Sequence, residues 1–208
     1  EAPRLRIAVN ADSLATWVLE ALSAHPELLF DVVVDDQDHS MAWLKRGEVS
    51  AAITASATPP QGCNSTPLGS MRYLATASPV FVQKHFVPAV DKSSLSRAPM
   101  LVFNSKDRLQ DIWMKQYFEV IHSTAQHFIP STQAFVEAQV RGMGWGVNPE
   151  QIIQSELASG QLVTLLPSAD LQVPLYWQCS RLMEQALAGV TRSIKAVSGT
   201  YLHRISAV

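Results

Sequence analysis

The chain has 208 residues, of which 47% are hydrophobic and 16% charged, against about 25% charged in an average globular domain, and its formal net charge is -2. Such a chain buries a full core as one large domain or two small lobes, and its scarce charge suits a body that also buries area against a partner. The charge balance excludes an electrostatic footprint for a phosphate backbone, and no apolar run approaches the ~18 residues of a membrane span.

In chain order, residues 6–9 (RIAV) read as a short apolar strand, and Leu14, Trp17, Val18 and Ala21 recur at helical spacing. Between them lies Asn10-Ala11-Asp12-Ser13, where Asp12 or Ser13 is a good N-cap whose oxygen accepts from an orphan helix N–H. In an open α/β sheet such turns sit at the carboxyl ends of strands, where ligands bind and the helix N-terminus favours negative charge. Residues 30–35 (FDVVVD) form a buried strand ending in the acidic run Asp35-Asp36-Gln37-Asp38. Residues 39–46 form a helix that Gly47 stops, and residues 49–54 (VSAAIT) a third strand ending in Thr54. The order βαβαβ predicts a parallel sheet with right-handed crossovers.

Pro59, Pro60, Gly62 and Pro67 make residues 55–69 a loop. Residues 71–77 return as a strand, and Ser78-Pro79 opens a short helix. After a connector at 88–99, residues 100–103 (MLVF) form a strand ending at Phe103 and Asn104. Residues 107–121 form a helix with Leu109, Ile112, Trp113, Tyr117 and Val120 on one face. Residues 127–140 repeat the logic of the opening stretch: a short strand ends at Pro130, Ser131 or Thr132 caps, and Phe135, Val136 and Val140 begin a helical stripe. A glycine-rich turn at 142–146, a helix from Pro149 to about Ser159, strands at 161–166 and 174–179, and a helix over 181–203 complete the chain. The strands fall into two groups. The expected architecture is two α/β lobes, residues 1–76 with 174–208 and residues 77–173, their two hydroxyl-bearing turns facing each other across a cleft.

Enzymatic motifs are absent: there is no GxSxG, HExxH or GxxxxGK[ST], and the hydroxyls and carboxylates of the turns have no paired histidine base. The run from Gly142 to Gly146 follows a helix, whereas a dinucleotide motif follows a strand, so it reads as a tight turn where backbones approach closely. The six histidines show no metal-ligand spacing, and neither metal nor cofactor is expected. Cys63 and Cys179 form neither a CxxC pair nor a disulfide framework, which points to a reducing compartment. Asp12 and Ser13 have an ordinary role as caps worth about 1 kcal/mol, and the acidic run as a solvated loop. The second turn at Ser131-Thr132 adds weight to a site, since two facing helix N-termini suit a carboxylate. A carboxylate of the acidic run turned into the cleft pairs with an ammonium or guanidinium, which makes the ligand a basic amino acid. Trp145 and Trp177 read as core residues or as pocket walls.

The segments VNADSLATW (9–17), RGEV (46–49), STQAFV (131–136), ELASG (156–160) and YW (176–177) resemble the effector-binding domain of LysR-type transcriptional regulators, and within them the arginine- and lysine-responsive ArgP/LysG-like group. The resemblance runs from about Leu5 to Leu202. It implies two Rossmann-like lobes joined by two crossover segments, like type 2 periplasmic binding proteins, with a small amino acid-like effector, lysine or arginine, in the cleft. It also implies a cytoplasmic protein that self-associates as a dimer, and as a tetramer in the full-length regulator. DNA is then contacted only through a winged helix-turn-helix domain expected upstream of Glu1 and absent from this chain. Carried over residue by residue, Asn10, Asp12 and Ser13 match the first-lobe turn, Thr54 the end of the third strand, Phe103 and Asn104 the second-lobe strand end, and Ser131-Thr132 its helix cap. In this reading Ser131, Thr132 and nearby backbone N–H groups hold the ligand's α-carboxylate, and Asp12 or Asp35/Asp36 its cationic end. The segment GMGWGVNP (142–149) is closer to the general LysR-type pattern than to the basic-amino-acid group. A periplasmic solute receptor of the same fold is the alternative.

Overall fold

Strand β1 (Arg4–Val9) buries Leu5, Ile7, Ala8 and Val9, and the chain then turns directly into a helix. The computed structural model describes residues 4–34, 37–119, 123 and 125–204. Its contacts divide the chain into unit 1, Glu1–Met71 with Gln172–Val208, and unit 2, Arg72–Leu171.

In unit 1 the first helical stretch is two helices, α1 (Ala11–Thr16) and α2 (Val18–Ser23), where the apolar spacing predicts one. The break falls at Trp17 (φ -119°, ψ -21°). Just before it the Thr16 hydroxyl donates to Asp12 O at 2.7 Å, the local side-chain bond with which threonine competes against helix continuation. Strand β2 (Leu29–Val34), helix α3 (Gln37–Arg46) and strand β3 (Ala51–Thr54) follow, with Gly47 at φ +71° ending α3. Strand β1 pairs parallel with β2, Arg4↔Leu29 through Val9↔Val34, and with β3 at Ile7↔Ala51 and Ala8↔Ala52, as the βαβαβ order predicts. On one face Ala8 and Ala52 pack with Leu44, Val49 and Cys63.

Strand β4 (Cys63–Ala77) is the main departure from the sequence reading, which made residues 55–69 a loop. Pro67 lies inside it at an exposed position, where a residue without an N–H is tolerated. The chain leaves unit 1 inside β4 and returns inside β9 (introduced below), so neither crossing is a loop.

Unit 2 continues with α4 (Pro79–His85), α5 (Lys92–Arg97), β5 (Met100–Val102), α6 (Leu109–Phe118), β6 (Gln126–Phe128), α7 (Thr132–Val140), β7 (Gly146–Pro149), α8 (Gln154–Ser159) and β8 (Val163–Thr164). Helix α5 replaces part of the expected connector; its Asp91 and Ser94 form a capping box, the Asp91 carboxylate accepting from Ser94 N at 2.7 Å. Strand β7 was expected as a turn running into a helix. It pairs antiparallel with β4 from Thr76↔Gly146 to Tyr73↔Pro149, and all four residues are buried. The glycines are what let it pack: a Cβ on Gly146 would sit 2.7 Å from the Phe135 ring, and one on Gly144 2.9 Å from Pro99 O. This bears out the close backbone approach read from the glycine run.

Helix α6 ends at Phe118; Val120 and Ile121, placed on it by the sequence reading, lie outside the described residues. The core of unit 2 joins Leu74, Val136, Ile153 and Leu162, and sets Trp113 against Trp145 at 5.5 Å between ring centroids. Each such buried side chain contributes about 1.5–3 kcal/mol. A polar network is sealed into it. Gln139 Nε2 donates to Thr76 O (2.8 Å) and Gly146 O (3.1 Å), while Asn148 Nδ2 donates to Gln139 Oε1 and to Thr76 Oγ1.

Strand β9 (Asp170–Ser180) lies antiparallel to β3 in unit 1, from Ala51↔Cys179 to Thr54↔Tyr176. A 3-10 turn (Arg181–Met183) precedes α9 (Ala188–Tyr201), which is shorter than the helix expected over 181–203. Trp177 is buried and its Nε1 donates to Thr191 Oγ1 at 2.9 Å, a core residue tied to α9.

Candidate functional site

Unit 1 contributes the turn from β1 into α1. The expected cap is corrected: Asn10 occupies the N-cap position (φ -68°, ψ 147°), with Leu14 N donating to Asn10 O at 3.1 Å, and Asp12 and Ser13 are the second and third helical residues. The helix is capped two residues before Asp12, the earlier of the two expected caps, because extended Asn10 directly follows β1. The Asn10 side chain makes no capping bond. Its Oδ1 is buried and without a partner, as are Ser13 Oγ and Trp17 Nε1. Ser13 is fully buried and Asp12 half-buried in the first turn of α1. Buried polar atoms normally find partners, so three orphans between Asn10 and Trp17 call for an explanation.

Thr54 ends β3, buried, and its Oγ1 accepts from Ser56 N at 3.2 Å. Opposite Ala52 on β9, Gln178 is fully buried; its Nε2 donates to Ser56 O at 2.8 Å while its Oε1 has no partner. The sequence reading passed over Gln178. The signal was there, an amide inside the otherwise apolar strand PLYWQC. Asp35 and Asp36 lie outside the described residues.

In unit 2 the polar groups are largely engaged. Phe103 follows β5, and its N donates to Asp107 Oδ2 at 2.9 Å. Asn104 Oδ1 accepts from Lys106 N (2.9 Å) and Asp107 N (3.1 Å), and Asp107 Oδ1 from Leu109 N at 3.0 Å, so this strand end is an Asx-type turn that starts α6. Of the two residues expected to cap α7, Ser131 does so, its Oγ accepting from Ala134 N at 3.3 Å, and Thr132 is the first helical residue. Ser131 is exposed and Thr132 half-buried. Trp145 is fully buried against Trp113, and its main chain bonds Leu101 N and Pro99 O. Its Nε1 is unpartnered, as are both amide atoms of buried Gln110 on α6, a residue the sequence reading also missed.

These groups are hydroxyls, amides and helix N-terminal N–H groups with no nucleophile–base pair among them. Among the described residues no three His, Cys, Asp or Glu side chains are grouped to hold a metal ion, and no helix is long and apolar enough to cross a membrane. In each unit by itself the groups suit hydrogen bonding to a small polar ligand.

Comparison with known proteins gives the family. Residues 1–194 match the LysR substrate binding domain. The HTH-type transcriptional regulator LysG of Mycobacterium tuberculosis (strain ATCC 25618 / H37Rv) is 40% identical over 199 residues, which are 95% of this chain and 65% of that protein. The HTH-type transcriptional regulator ArgP of Pseudomonas aeruginosa (strain UCBPP-PA14) is 41% identical over 206 residues, covering 98% of this chain and 68% of that protein. Among solved structures, full-length LysG from Corynebacterium glutamicum with bound effector Arg superposes with a TM-score of 0.85 at 32% identity, covering 97% of this chain and 70% of that one. The chain thus spans about two thirds of the length of the curated relatives it matches, and those relatives are transcriptional regulators, not enzymes or transport receptors. The chain belongs to the LysR substrate-binding domain family, with its type 2 periplasmic-binding-protein-like α/β fold, and resembles the LysG and ArgP regulators within it.

Proposed function

We propose that the chain is the effector-sensing part of a LysR-type transcriptional regulator and that its effector is a basic amino acid, arginine or lysine. The observation that carries this reading is the pair of buried, unpartnered oxygens on the β1–α1 turn, Asn10 Oδ1 and Ser13 Oγ. Acceptors buried without donors are costly, and the N–H groups of a cationic ligand repay that cost. The similarity to a LysG structure with Arg bound supports the same ligand class. The ligand's cationic end is assigned to the unit 1 groups, with Asp12 or Asp35/Asp36 supplying charge. Its α-carboxylate is assigned to Ser131, Thr132 and the first N–H groups of α7, because a hydroxyl that accepts a cap bond still donates its own proton. Thr54, Phe103, Asn104 and Trp145 shape the surroundings.

DNA contact is assigned to a helix-turn-helix domain outside this chain, and the regulator to the cytoplasm. Self-association as a dimer, and as a tetramer of the full-length regulator, is supported by apolar side chains left exposed on α2, the edge strand β2 and α6: Leu19, Leu29, Val34 and Ile112. Ligand acts by shifting a population between two arrangements, which requires different affinities for the two.

Calorimetric titration with each of the common amino acids tests the reading. Arginine or lysine is expected to bind with a measurable heat and raise the thermal midpoint, and neutral and acidic amino acids to bind far more weakly. No heat and no thermal shift with either basic amino acid overturns the assignment.

A further inference from the structure

Gln178 stands out among the buried polar groups of unit 1. Its amide assignment is not arbitrary: Ser56 O is a carbonyl and accepts only, so the group 2.8 Å from it must be Nε2, which leaves Oε1 as the other amide atom. Oε1 is then a buried acceptor with no donor.

The sheet register says where that acceptor lies. Ala8 pairs with Ala52, and Ala52 with Gln178, so the three stand in one row across β1, β3 and β9 with side chains on the same face. Asn10 comes two residues after Ala8 in extended conformation, which returns its side chain to that face. Two strand spacings across and two residues along separate the Asn10 and Gln178 Cα atoms by about 12 Å on the same face of the sheet, a span on the scale of a bound amino acid with the two amides on either side of it. Thr54 ends β3, the strand between them, and bonds Ser56 N, while Gln178 holds Ser56 O just beyond that end.

Resting on the basic-amino-acid reading above, we propose that Gln178 is a specificity-determining residue whose Oε1, together with Asn10 Oδ1, accepts N–H groups from the cationic side-chain end of the effector. Neutral amide oxygens suit this task in a buried site. They attract a guanidinium or ammonium when ligand is present and leave no unpaired buried charge when it is not. One side chain thereby does two jobs, Nε2 positioning the turn after β3 and Oε1 meeting the ligand.

The test uses arginine and citrulline, whose neutral ureido group replaces the guanidinium, titrated into the wild-type chain, Gln178→Met and Gln178→Glu, with thermal unfolding of each run in parallel. Gln178→Met is expected to weaken arginine at least ~10-fold, the scale of a lost hydrogen bond to a charged group, and citrulline by less. Gln178→Glu also loses the donor to Ser56 O but keeps an oxygen toward the ligand, so it is expected to bind arginine at least ~10-fold more tightly than Gln178→Met does.

A purely structural Gln178 gives the opposite ordering, because a carboxylate repels the Ser56 carbonyl. That ordering, equal losses for both ligands, or arginine affinity unmoved by Gln178→Met overturns the proposal. Should Gln178→Glu fail to fold, Gln178→Met with the two ligands decides alone; should citrulline bind too weakly to measure, the ordering of the two variants decides. Wild-type chain that binds no basic amino acid sinks the broader reading and this one together, whereas normal wild-type binding with Gln178→Met unmoved sinks this one only.

Discussion

In unit 2 the Ser131 hydroxyl accepts from Ala134 N and the Asn104 side chain takes two main-chain N–H groups, while in unit 1 the Asn10 oxygen and the Ser13 hydroxyl take none. Both regions are strand-to-helix turns rich in small polar residues, and in the sequence they look alike. The difference lies in who satisfies the polar atoms. Where the fold does so, the residue's first role is structural; where it does not, a ligand is the natural partner, since an unpaired buried acceptor costs about 1–3 kcal/mol that selection for stability alone removes.

The sharpest way to break this contrast is to attack the best-satisfied polar group in unit 2. Gln139→Leu keeps the volume but leaves Asn148 Nδ2 with Thr76 Oγ1 as its one remaining partner among the bonds described and removes the bonds to two main-chain carbonyls. A loss of about 2–4 kcal/mol is expected in a denaturant titration, with little change in effector affinity relative to the folded fraction. Unchanged stability means that satisfaction by the fold does not mark a structural role.

A smaller effect sharpens the comparison of the turns themselves. Ser131→Ala removes a cap and is expected to cost about 1 kcal/mol of stability as well as effector affinity. Ser13→Ala removes an unpaired buried hydroxyl, and stability is expected to stay within about 0.5 kcal/mol or to rise, while arginine affinity falls several-fold. Urea midpoints and calorimetry on the two variants separate the cases. Equal losses of stability erase the distinction.

How much of this was legible beforehand follows from which interactions are local. The parallel β1–β2–β3 arrangement was, because strand and helix periodicities over residues 4–54 are set by short-range patterns. So was the Ser131 cap, a side chain reaching three residues along its own chain. Strand β4 was hidden by Pro67, and β7 by glycines whose absent Cβ atoms matter only once Phe135 and Pro99 are packed against them. The break at Trp17 and the cap at Asn10 turn on where a helix starts or stops to within about two or three residues, the least determinate feature of any local pattern. Gln178 and Gln110 were missed because being unsatisfied is a property of the packed surroundings, which no spacing along the chain encodes.

The weakest perturbation uses the residue next to Gln178. Cys179 pairs with Ala51 on the opposite face of β9 from Gln178, so it reports on the sheet without entering the candidate site. Burial raises its thiol to about 11, with Glu184 and Cys63 acting in the same direction. The raised value means the native chain keeps a proton that the unfolded chain loses above its ordinary value of 9.0. Stability from this group is therefore intact below about pH 9 and declines as pH rises through 9 toward 11. In a Cys63→Ala background at pH 8, a thiolate-specific disulfide reagent is expected to label native Cys179 at least ~100-fold more slowly than the unfolded chain, through the smaller thiolate fraction and through burial. Saturating arginine is expected to slow labelling further by holding β9 at Gln178, and Ser13→Ala to lessen that protection at equal ligand. Labelling that arginine leaves unmoved, in a chain that binds arginine, detaches the sheet beneath Gln178 from the ligand and leaves the β1–α1 turn as the whole of unit 1's contribution.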